Sequence, residues 1–328
     1  MLTFTRLQVS FIAVLVAVGC DQATDPTEEV FWEQSDIPGS AYIGSLVEHP
    51  NGTIFAGTQS AGLYRSTDEG VSWSPVVTGI TDPFIRSLVV TRAGTIFAGT
   101  DTAGVFRSTD AGSSWRRVTA LAGGAILSLT VTPQGQLFAG TMLGGTYKST
   151  DDGNTWLPIV FDSQFPLTSA GRLAVDSLGR VWATVGPDLY RSADGGTTST
   201  KVTVSSGPPF LFAVFAAHDG RVYVGSGLGT VFHSVDNGGS WSSTSIASVS
   251  ITWFTENSLG HVFAGTSGAG VYRTTSNGDL WTPLGRGVRG KSGRLAALGI
   301  SSLLASSKGY LYVGDYQRIL RSIQSTVP

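Results

Sequence analysis

Two arginines and four aromatic residues, Arg86, Arg172, Tyr42, Phe84, Phe212 and Trp253, are the side chains of this chain best suited to holding a ligand. A guanidinium offers a planar fork of donors to a carboxylate, and an aromatic face takes a sugar ring or a cation. Together they suit a carboxylated sugar, a glycan ring or a peptide carboxylate. Arg289 and Lys291 belong to the run LGRGVRGKSGRLAALG (residues 284–299), which also carries Arg286 and Arg294. Such a run reads as an exposed loop on the same face as those side chains, either clamping an anion or simply solvated. Asp101, Asp188 and Asp315 fall in corresponding loops, and carboxylates meeting in space are the equipment of glycoside hydrolysis. His49, His218, His233 and His261 lack ligand spacing, so neither a metal nor a cofactor is expected. There is no phosphate loop, nucleophile elbow or EF-hand loop.

A repeated octet organises the elements that must position these groups. STDEGVSW at residues 66–73 returns at 108–115, 149–156, 192–199, 234–241 and 274–281, with the Trp lost in the fourth copy and the Asp lost in the sixth. The third residues, Asp68, Asp110, Asp151, Asp194, Asp236 and Ser276, lie 42, 41, 43, 42 and 40 residues apart. A period near forty with several short strands per unit indicates a propeller. A hydroxyl and a carboxylate ahead of a Gly suit a capped tight turn, and the Trp supplies a buried anchor.

A second landmark, an apolar, aromatic, small and Gly run, precedes each octet: IFAGT at 54–58 and 96–100, with counterparts at 137–141, 181–185, 222–226, 262–266 and 311–315. That makes seven units of four strands. The seventh stops before its octet and fourth strand, while residues 30–33 (VFWE) supply a Trp-led strand at the other end. The expected fold is therefore all-β: residues 30–328 as a seven-bladed β-propeller of four-stranded antiparallel blades, its ring closed by an N-terminal strand in the last blade. In that register one position of strand one reads Ser45, Ser87, Ser128, Arg172, Ala213, Trp253 and Ser302. The residue before it reads Gly44, Arg86, Leu127, Gly171, Phe212, Thr252 and Ser301. Departures from the repeat here mark the channel mouth. The alternative is that Trp253 and Phe212 fill gaps between blades and the arginines pair with local carboxylates.

The octet resembles the Asp-box, or BNR repeat, of sialidases, sortilin-type receptors, xyloglucanases and photosystem assembly factors. The resemblance implies a propeller in which the box is a structural turn away from the ligand. It leaves the activity open. The stretch at residues 84–87 (FIRS) is only faintly similar to the Phe-Arg-Ile-Pro signature of sialidases, which have six blades. Xyloglucanases place Asp catalysts between two seven-bladed units, and one unit fits here. Two functions follow: a non-catalytic binding or scaffold platform for a protein or glycan, or alternatively a glycan-acting hydrolase of sialidase-like or xyloglucanase-like type.

Of 328 residues, 13% are charged and 43 are Gly, and the net charge of −2 exerts no general pull on nucleic acid. Residues 1–19 read as an export signal: Arg6, then a mostly apolar run from 7 to 19, too short to span a bilayer comfortably. The run ends at Cys20, the single cysteine, and resembles a bacterial lipoprotein signal, which implies lipidation of Cys20. The alternative is an ordinary signal peptide beside an incidental Cys. Residues 20–29 form a polar tether. The expectation is a monomer on the membrane of the cell envelope, periplasmic or outer-surface, meeting an envelope protein or glycan. A Cys20→Ser chain should accumulate unprocessed and leave the membrane fraction; Cys20→Ser protein still cleaved and membrane-bound would exclude a lipid anchor there.

Overall fold

The computed structural model describes residues 30–35, 37–38, 42–119, 121, 124–161, 171–204, 210–285, 287–288 and 299–327. The leader and tether of residues 1–29 with Cys20, and both Arg289 and Lys291, lie outside these. Six sheets are four-stranded meanders taken in chain order. The first consists of Ile43–Glu48, Ile54–Thr58, Leu63–Ser66 and Ser74–Val76, each antiparallel to the next. Strand two is buried along its whole length in every blade, and strand four of the first and third blades is largely exposed. The first strand of each blade touches that of the next, and the seventh touches the first. The chain is a seven-bladed β-propeller.

Sheet closure follows from an edge left unpaired. The last blade holds Ser302–Ala305, Leu311–Gly314 and Ile319–Ser322, and Val30–Ser35 completes it, Trp32 standing opposite Ser322 and Ser35 opposite Ile319. Trp32 is 0% exposed, packed with Phe263, Val271 and Leu320, and its indole N–H donates to the Gly285 carbonyl at 2.8 Å. Arg321 donates to the Glu33 carboxylate at 2.8 Å. The segment read from sequence as a loop over the mouth behaves differently in its described part. Gly287–Val288 pairs parallel with the outer edge of the closing strand, as an extended segment does beside open N–H and C=O groups.

The core lies between blades. In five blades the Gly of strand two faces the Ile that opens the next blade: a Cβ on Gly57 would stand 2.6 Å from Ile85, and one on Gly265 2.6 Å from Ile300. Aromatic residues of strand two then meet the box Trp of the following blade, with ring centroids 6.5 Å apart for Phe55 and Trp115 and 6.1 Å for Tyr223 and Trp281. In the fourth blade Ser199 replaces that Trp. Phe161, from the connection before the blade, packs with Phe138 in its stead, and Ser199 donates to its carbonyl at 2.6 Å.

Each box is a capped turn. Ser108 accepts from Gly112 N at 2.8 Å and donates to Asp110 at 2.8 Å; Asp110 accepts from Ser114 N at 2.9 Å and Ser114 Oγ at 2.6 Å. The residue before the Gly is itself left-handed, with φ near 60° at Glu69 (61), Asn237 (61) and Asn277 (59), so the strain of the turn falls on that residue and the Gly adopts its positive φ without cost. In three blades an arginine of strand three holds the box of the following blade. Arg107 donates to Asp152 O at 2.6 Å, Arg191 to Asn237 O at 3.2 Å and Arg321 to Glu69 O at 2.9 Å, each reaching the next blade's box.

The hydroxyl and N–H of Ser114 hold the Asp110 carboxyl at about 2, and those of Ser72 and Thr198 do the same for Asp68 and Asp194. A carboxyl depressed below its ordinary 3.8 stabilises the fold above that pH and loses the contribution as pH falls toward about 2. Asp110→Ser, which copies the residue at position 276, should melt a few degrees below the parent at pH 7. That gap should close between about pH 4 and pH 2 in thermal melts; a constant gap would contradict the capping account. Trp32→Ala should cost about 3–5 kcal/mol, lowering Tm by roughly 10 °C, while Val77→Ala, at an 82% exposed position, should change it little.

Candidate functional site at the channel mouth

Strand one of most blades carries a β-bulge at its start. Pairing skips between Ile43 and Ser45, Ile85 and Ser87, Ile126 and Ser128, Leu211 and Ala213, and Ile251 and Trp253. The skipped residues Gly44, Arg86, Leu127, Phe212 and Thr252 are released from the ladder and line a cavity of about 500 Å³ at the mouth. Tyr42, Arg172, Tyr316 and Phe210 line it as well. A second cavity of about 320 Å³ continues down the channel past Arg172 and Thr252, and Trp253 belongs to this lower one. The structure thus brings Tyr42, Arg86, Arg172 and Phe212 together, with Trp253 beneath. Phe84 is displaced outward: it bridges to Gln59 at the rim and is 40% exposed.

The position after the bulge divides the ring into two parts. Ser45, Ser87 and Ser128 accept from the backbone N–H of Leu88, Leu129 and Leu173 in the next blade, at 3.1, 2.7 and 3.2 Å. These serines act as staples. The next three positions, Arg172, Ala213 and Trp253, carry no such hydroxyl. Across the small Ala213 the guanidinium of Arg172 lies 4.3 Å from the ring centroid of Trp253, a cation–π contact of about 1–2 kcal/mol where water is partly excluded. Burial lowers the Arg172 pKa from its ordinary value; a guanidinium is basic enough to stay a cation inside proteins all the same. Among the described residues no carboxylate pairs with it.

Above it the Tyr42 and Tyr316 rings stand 5.1 Å apart. Burial, then Tyr316, raises the Tyr42 hydroxyl pKa, with Arg172 and Arg86 pulling the other way, so Tyr42 presents a neutral donor. Arg86 pairs with Asp101. Asp188 pairs with Lys201 at 2.7 Å and Asp315 with Arg318 at 3.0 Å. The three acids therefore stay apart, each matched to a nearby base. The histidines are dispersed too: His49 contacts Gly94 O at 3.0 Å, His218 the Glu256 side chain, and buried His233 Asp279 at 3.2 Å. Among the described residues no three His, Cys, Asp or Glu gather as metal ligands.

Sequence reasoning passed over Tyr316 and Phe210. Tyr316 follows the strand-two run where other units carry Gln59, Asp101, Met142, Gly186, Gly227 and Ser267, and Phe210 shares the column of Tyr42 and Phe84, which was the signal that could have found it.

A family model described as photosynthesis system II assembly factor YCF48 matches residues 32–265. No curated protein matches the chain. Among solved structures, YCF48 bound to D1 peptide superposes with a TM-score of 0.73 at 16% identity, over 90% of this chain and 98% of that one. The extracellular domain of BT4673 from B. thetaiotaomicron gives 0.74 at 15% identity over 89% of this chain, which spans 40% of the other. The GH74 xyloglucanase from Xanthomonas campestris gives 0.67 at 18% identity, over 88% of this chain and 52% of that one. At these identities the structural likeness is one of fold.

Proposed function

The chain belongs to the photosynthesis system II assembly factor YCF48 family, and from that premise we propose that it is a non-catalytic binding platform whose ligand docks on the channel mouth. The observation carrying this is Arg172, seated on Trp253 at 4.3 Å with its donors turned to a cavity rather than to an acid among the described residues. An arginine so placed recognises an anionic group, and the surrounding Tyr42, Tyr316 and Phe212 supply apolar contact. A protein ligand is favoured over a glycan, since a similar propeller, YCF48, holds a D1 peptide. The platform is exported and tethered to the cell envelope through lipid on Cys20, a reading that rests on the leader residues alone. A glycan hydrolase would need two carboxylates over the reacting bond, whereas Asp101, Asp188 and Asp315 are each engaged by a base.

The test is the detergent-solubilised full chain on arrays of peptides and of glycans, read by fluorescence for binding and by mass spectrometry for trimming of the sugars. Peptide binding that falls about tenfold or more in Arg172→Gln, without trimming, is the expected result. Trimmed sugars would overturn the non-catalytic reading, and peptide binding indifferent to Arg172 would move the site elsewhere.

A further inference from the structure

One column of strand four runs around the outside of the ring. Through the first six blades it reads Pro75, Arg117, Pro158, Lys201, Ser243 and Pro283, each opposite the aromatic residue of strand three. Proline has no N–H to give a ladder, so the three prolines define the register: at this position the backbone N–H and C=O point away from strand three, toward the outer edge of the blade. The fifth blade keeps that alternation. Its Ile246 N–H donates inward to Gly229 O at 3.0 Å, which turns Ser243 and Ser245 outward.

An open outer row is a template for a further strand, and most blades blunt it. Pro75, Pro158 and Pro283 remove the donor that an added strand would bond, Arg117 and Lys201 set a charge beside it, and in the seventh blade Gly287–Val288 occupies the edge. That last pairing shows that an outer edge of this ring accepts a fifth strand. Among the described strands only the fifth blade's carries none of these devices. Ser242–Ser245 reads SSTS, uncharged and mostly exposed, and it is as long as any outer strand of the first six blades. Among the described residues no strand lies beside it.

We propose that Ser242–Ser245 pairs antiparallel with the same strand of a second copy of this chain, joining two propellers edge to edge about a two-fold axis. The proposal is independent of what docks at the mouth. The run Ser243, Thr244, Ser245 is palindromic, as an interface between identical patches requires. With Thr244 on the axis, Ser243 exchanges N–H and C=O with Ser245 of the second copy, Ser245 does so with its Ser243, and Thr244 faces its own counterpart in a non-hydrogen-bonded pair. Charge selects the same occupant. Self-pairing sets like against like, which repels at an edge bearing Arg117 or Lys201 and not at one of hydroxyls. The contact is small, well below a standard interface of about 1,600 Å², so the dimer is weak and forms where the chain is concentrated. Strand four runs from the box face to the mouth face, so antiparallel pairing points the two mouths in opposite directions.

The experiment is sedimentation of the full chain in density-matched detergent across a range of concentrations, with amide hydrogen exchange followed at each. A dimer should grow in with concentration and stop at two copies, and the Ser243 and Ser245 amides should gain protection in step with it. Ser243→Pro, which copies Pro75, Pro158 and Pro283, should weaken the association about tenfold or more at an unchanged melting temperature, and Ser243→Lys, which copies Lys201, should do the same. A parent that stays monomeric throughout, or exchange at those amides that ignores concentration, overturns the proposal without any variant having to fold. A dimer indifferent to both substitutions overturns it by placing the contact elsewhere, and so does assembly beyond two copies. If the parent stays monomeric while an added uncharged peptide protects the two amides, the edge belongs to a partner's strand and the second copy is excluded.

Discussion

No blade of this protein can bury its own faces. Each sheet is one layer thick, and its apolar side chains find cover only against the sheets on either side, in five blades through a glycine in strand two that admits the Ile opening the next blade. Everything else answers to that dependence. The box Trp reaches back to the preceding blade, the base before the box reaches forward to the following one, and the closing strand denies the last blade an open edge. Where the repeat fails, a local substitute restores the contact, as Phe161 does for the Trp missing at Ser199. The stability of the ring is thus a sum of interfaces rather than of blades.

The same regularity explains where a ligand site can arise. A serine at the inner position of strand one is useful to the ring as an inter-blade acceptor, and three consecutive blades keep it. In the part of the ring holding Arg172, Ala213 and Trp253 other groups hydrogen-bond across the interfaces, Arg191 to Asn237 O, Arg221 to Gly260 O and Thr252 to Ile300 O among them, which leaves the inner positions to the channel. Ala213 gives the space and Trp253 the surface on which a guanidinium can rest without an acid. Asymmetry in a symmetric scaffold is the feature with chemical content.

Most of the architecture was legible in the sequence because it is periodic. Blade number, box geometry and the entry of residues 30–33 into the last blade all follow from a ruler that can be laid along the chain. The column containing Arg172 and Trp253 was legible for the same reason. The bulges that free Arg86 and Phe212 were not, since a bulge depends on the fit of two strands and leaves no residue type of its own. Phe161 was invisible because it acts from outside its register, and which arginine takes up a local carboxylate was left open because Asp101 reaches Arg86 from the loop between the second and third strands. Phe84 stands just ahead of the Arg86 strand, and its pairing to Gln59 fixes it at the rim, a placement imposed by a neighbouring blade.

The closing strand has a consequence for the order in which this molecule comes into being. Val30–Ser35 is the first described strand to be synthesised, and its partner Ile319–Ser322 is the last. Apart from the pairing of Gly287–Val288 with the same closing strand, every other ladder joins segments a few residues apart and forms as soon as its turn is made, so local folding outruns closure by nearly the full length of the chain. Until that moment the molecule is an open arc with two complementary ends, a ready strand and a ready edge. The strand of another copy fits the edge as well as its own, and between the two only proximity decides. Closure of the ring is therefore governed by concentration as well as by sequence: crowded nascent chains are drawn toward exchange, and isolated ones toward self-closure.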